Sequence, residues 1–123
     1  MPSLLQNVCL ELIQGDDYLA ADSRAIVIIG AGVTWPALIA SVKLLITPTD
    51  DCALGVPMLN IDGAYSAPTP LAAAQAAFDM TRVQSLTLLP GIRRYTFEVR
   101  ALLAPSSVVT LARGLITALP GAL

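Results

Sequence analysis

A chain of 123 residues has the size of a single domain and is long enough to bury most of the surface its unfolded form exposes. Hydrophobic residues make up 55% and charged residues 13%, against about 45–50% and about 25% in an average soluble chain, which excludes intrinsic disorder. The net charge of −2 gives no long-range attraction to phosphate backbones or anionic membranes, so no nucleic-acid partner is expected.

The first predicted strand is Val8 to Gln14, where Val8, Leu10 and Leu12 alternate with Cys9 and Glu11 until Gly15-Asp16-Asp17 ends the run. Met1 to Ile13 has no cationic start followed by an apolar core, so no signal peptide is read there and synthesis in the cytoplasm is expected. Arg24 to Ile29 is apolar on both faces after its first residue, as a strand covered on both sides would be.

Ala25 to Val42 contains eighteen residues without a charge, enough for a membrane helix by length. Gly30, Gly32, Thr34 and Pro36 interrupt it, and Arg24 and Lys43 at its flanks give no positive-inside bias. A strand, a loop and a second strand fit this stretch better, and no membrane span is expected.

The third strand, Leu38 to Thr47, places Ala40, Val42, Leu44 and Ile46 on one face and Ser41 and Lys43 on the other, and Pro48 stops it. After the Pro48 to Asp51 turn, a fourth strand is predicted from Val56 to Ile61, ending at the turn pair Asp62-Gly63. Pro68, Thr69 and Pro70 enforce an extended loop within Ala64 to Leu71. Ala72 to Met80 has helix-forming composition, yet Ala74, Ala76, Phe78 and Met80 alternate, and strand is the reading adopted.

Thr81 to Leu86 reads as a short helical turn capped by Asp79 or Thr81. Tyr95, Phe97, Val99 and Ala101 then oppose Arg94, Thr96, Glu98 and Arg100 in the clearest strand of the chain. Beyond Ala104 to Ser107 the chain turns back through Val108 to Ala118, with Gly114 marking a bulge or a close backbone approach. The expected architecture is all-β: one antiparallel sandwich of about seven strands over residues 1–123, with a C-terminal hairpin.

The chemistry available is limited. With no histidine there is neither a Ser-His-Asp triad nor a Cys-His pair, and no enzyme activity is expected. Asp16-Asp17 with Asp22, and Asp50-Asp51, could form a carboxylate pair or a calcium site, but both lie in turns where Asp bonds its own backbone. Gly30-Ala31-Gly32 begins a dinucleotide fingerprint that Trp35 and Pro36 break, leaving a glycine-rich loop. Cys9 and Cys52 form no CxxC pair and are expected to be buried thiols. No catalytic residue, metal ligand or cofactor is assigned.

Six of the seven basic residues are arginines, the residue type enriched over lysine at protein interfaces, although GC-rich codon usage would produce the same bias. The candidate interface residues are Arg93, Arg94, Arg100, Arg113 and Trp35. Arg94 and Arg100 share the polar face of one strand with Glu98, open to cross-strand or intersubunit pairing or to simple solvation. Trp35 is either an exposed anchor or a plug at the end of the sandwich.

The order of features carries a resemblance. Gln14-Gly15-Asp16 follows the first strand, and the patterned strand Ala40 to Ile46 comes next. Phe78-x-Met80-Thr81 leads into Val83-Gln84-Ser85-Leu86, followed by Pro90-Gly91, the strand Arg94 to Val99, and a last strand with Val109-Thr110-Leu111-Ala112-Arg113-Gly114. This resembles the small immunoglobulin-like β-sandwich domains of tailed-phage baseplate and tail-fibre proteins, in which a QGD-like element follows the first strand and an RG-like step closes the domain. The Pro/Ala-rich middle, Ala64 to Ala77, and the absence of a long extension after Leu123 depart from that pattern. The resemblance implies a non-enzymatic virion structural protein, a stand-alone tail fibre or baseplate adaptor bound to other virion proteins as a homo- or hetero-oligomer. The alternatives are a carbohydrate-binding sandwich, for which six aromatic residues are few, and a small membrane protein using Ala25 to Val42.

Overall fold

Strands form where β-branched and aromatic residues alternate with polar ones, because such side chains pack on a pleated, half-buried surface. The computed structural model describes residues 4–36, 39–48, 58–90, 95–103 and 107–121. Its strands are β1 (Leu5–Ile13), β2 (Ile26–Ile29), β3 (Ile39–Pro48), β4 (Leu59–Ser66), β5 (Gln75–Phe78), β6 (Tyr95–Leu103) and β7 (Ser107–Leu119). A 3-10 turn, Ala20–Asp22, precedes β2, and a one-turn helix, α1 (Arg82–Ser85), precedes β6. Among the described residues the strands make one curled, mixed sheet in the order β1-β7-β6-β3-β4-β5-β2. The protein is all-β. It is not purely antiparallel, because β1 runs parallel to β7, from Leu5 opposite Ala112 to Ile13 opposite Leu119.

The core follows the predicted alternation. Tyr95, Phe97, Val99 and Ala101 of β6 are buried together with Val42, Leu44 and Ile46 of β3. Ala74, Ala76, Phe78 and Met80 join them from in and around β5, and of the strand expected over Ala72 to Met80 the part Gln75–Phe78 is strand despite its alanines. Fully burying side chains of the larger apolar types stabilises the fold by about 1.5–3 kcal/mol each. Helix propensity in the alanine run is worth only about 1 kcal/mol per residue at most, so packing decides.

β4 changes partners along its length. Leu59 to Gly63 pair with Ile46 to Val42 of β3, and Gly63 to Ser66 pair with Phe78 to Gln75 of β5. Asp62-Gly63, expected as a turn, therefore lies inside a strand. Gly63 is required there by close approach: a Cβ would overlap the Phe78 ring and sit 2.7 Å from the Ala77 carbonyl oxygen. The fourth strand consequently runs on to Ser66, and the extended loop is replaced from Thr69 to Ala72 by a tight turn in which these two residues exchange backbone hydrogen bonds.

β7 carries the predicted irregularity, three residues before the glycine. Val99 pairs with Ala112 and Arg100 with Thr110, which leaves Leu111 as the extra residue of a bulge. Leu111 and Ala112 are consequently both buried. Gly114 supplies the other predicted feature, since a Cβ there would run into the Val8 carbonyl of β1 and lie 2.8 Å from the Val8 nitrogen.

Two expectations are corrected by burial, and a third is met. β2, expected to be covered on both faces, buries only Ile26 and Ile28, while Val27 and Ile29 on its other face stay 41% and 53% exposed. Cys9 is exposed rather than buried, since the parallel register turns it outward beside Leu115; Cys52 lies outside the described residues. The uncharged stretch from Ala25 contributes β2, a loop and the start of β3, and among the described residues no helix is long and apolar enough to cross a membrane.

Candidate interaction surfaces

The side chains of β3, β6 and β7 that point away from the core form a surface patterned by strand register. Lys43 stands opposite Asp62 on one side and Arg100 on the other, Leu45 opposite Glu98, and Glu98 opposite Arg113. Directly opposed residues share a face, so Asp62, Lys43, Glu98, Arg100 and Arg113 lie on one outer surface. Arg100 Nε donates to Glu98 Oε2 at 3.1 Å within β6, and Lys43 Nζ lies 3.7 Å from Asp62 Oδ1. Arg113 makes no ion pair among the described residues. Arg113 borders a groove of about 540 Å3 that Gln6, Cys9, Glu98 and Leu115 also line, beside the register shift of β1 on β7.

Of the five candidate residues, the structure brings Arg100 and Arg113 together on this surface, while Arg93 and Arg94 lie outside the described residues. Trp35 is 8% exposed, and its indole Nε1–H donates to the Leu111 carbonyl at 3.0 Å, so it packs as a plug against the bulge of β7. Its ring stands 6.5 Å from that of Tyr65, and both border a second groove of about 610 Å3 at that end of the sheet. Leu71, 98% exposed, stands at the tip of the Thr69–Ala72 turn on the rim of this groove.

At the opposite end, the Gln14 to Asp17 segment clasps α1. Gly15 N donates to Ser85 Oγ at 3.0 Å, Ser85 Oγ lies 2.8 Å from the Asp16 carbonyl, and Gln14 Nε2 donates to the Leu86 carbonyl at 3.1 Å. Asp17 Oδ1 accepts from Arg82 N at 2.6 Å, while Asp16 pairs with Arg24 at 3.0 Å, and that guanidinium lies over the Tyr18 ring. The helical turn carries the expected cap: Thr81 Oγ1 accepts from Gln84 N and Gln84 Oε1 from Thr81 N. Asp79, the other expected cap, instead accepts from Ala20 N. The aspartates here are thus engaged in holding loops, and no group of three or more His, Cys, Asp or Glu among the described residues could hold a metal ion. Asp50 and Asp51 lie outside the described residues.

The sequence singled out the arginines but missed their neighbours Lys43, Asp62, Leu45 and Leu115, which only cross-strand register assembles. It also missed the exposed row on β2. No protein-family model, curated protein or solved structure matches the chain.

Proposed function

We propose that this chain is a non-enzymatic virion structural protein, a tail fibre or baseplate adaptor, folded as an immunoglobulin-like sandwich and acting through its outer β3-β6-β7 surface. The partner change in β4 supports the sandwich, because a fold of the sheet at Gly63, where β4 passes from β3 to β5, would set β1-β7-β6-β3 and β5-β2 as two layers. So does Tyr95 at the start of β6, whose hydroxyl accepts from Leu89 N at 2.8 Å, as the tyrosine corner of such domains does.

The observation that carries the functional reading is the concentration of charge on one sheet surface of a charge-poor chain. Asp62, Lys43, Glu98, Arg100 and Arg113 share it, and Arg113 is left without an ion pair among the described residues. Arginine is enriched among the interface hot spots whose truncation costs about 2 kcal/mol or more once a partner has desolvated them. The test is the light-scattering mass of the protein mixed with the products of neighbouring genes. A defined complex is expected, and Arg100→Glu with Arg113→Glu should weaken it by about 30-fold or more while the circular dichroism spectrum is unchanged. Absence of a complex with any neighbour, or full binding by the double variant, would remove this reading.

The groove beside Trp35 and Tyr65 favours the second reading, a carbohydrate-binding module. Calorimetric titration with oligosaccharides giving a stoichiometric heat that Tyr65→Ala abolishes would move the function there.

A further inference from the structure

We draw no further inference here: the strongest candidate, the groove beside the register shift of β1 on β7 that Cys9, Arg113 and Leu115 line, belongs to the outer surface already described, and nothing in the structure shows what covers it.

Discussion

Ser85→Ala tests whether the loop after β1 is held by α1. Ser85 is the sole polar residue among the buried ones described, and its hydroxyl accepts from Gly15 N at 3.0 Å while lying 2.8 Å from the Asp16 carbonyl and 3.1 Å from that of Arg82. Alanine fits the same space but strands the Gly15 amide and the Asp16 carbonyl. An unsatisfied buried polar group costs about 1–3 kcal/mol, and partial water access at this site brings the expected total to about 2 kcal/mol. With a urea slope of about 2 kcal/mol/M for a domain of this size, the unfolding midpoint should fall by about 1 M. Fluorescence of Trp35, the single tryptophan, reports the transition because it is buried in the folded state. Gln84→Ala, which removes one arm of the capping box, should cost only about 0.5–1 kcal/mol. A midpoint shift for Ser85→Ala smaller than that of Gln84→Ala would refute the clasp.

Gly114→Ala should destabilise the protein by about 2–4 kcal/mol, because the new methyl collides with the Val8 backbone and must push β1 off β7. Hydrogen exchange at Cys9 to Leu12 should then accelerate ahead of the core, and a variant as stable as wild type would contradict the parallel pairing. Tyr95→Phe removes the acceptor of the Leu89 amide and should lower stability by about 1–2 kcal/mol, read by the same urea titration; no change would mean that this hydroxyl does not hold the corner.

Much of the fold is legible in the residues. The alternation of Tyr95 to Ala101 and of Val42 to Ile46 identifies strands and their buried faces, because side chains in a strand must alternate whatever it pairs with. The cap of α1 is legible for a similar reason: Thr81 and Gln84 satisfy each other within one turn. Asp62-Gly63 misleads because its local signal is that of a turn, whereas the glycine answers to Phe78, fifteen residues later and visible only once β4 and β5 pair. For the candidate surface, alternation places Glu98 and Arg100 on one face, but the addition of Arg113 depends on the hairpin register beyond the Leu111 bulge.

By itself, then, the sequence determines an all-β chain with little charge, no histidine chemistry and a set of strands whose inner faces can be named. Tertiary structure alone decides that β1 lies parallel to β7, that Trp35 is a plug bonded to Leu111, and that Val27 and Ile29 remain uncovered at an edge. The division is physical. Alternation and capping are settled between residues a few positions apart, whereas strand order and edge status depend on contacts between residues far apart in the chain, and the same apolar side chain is core or surface according to whether another part of the chain packs against its face.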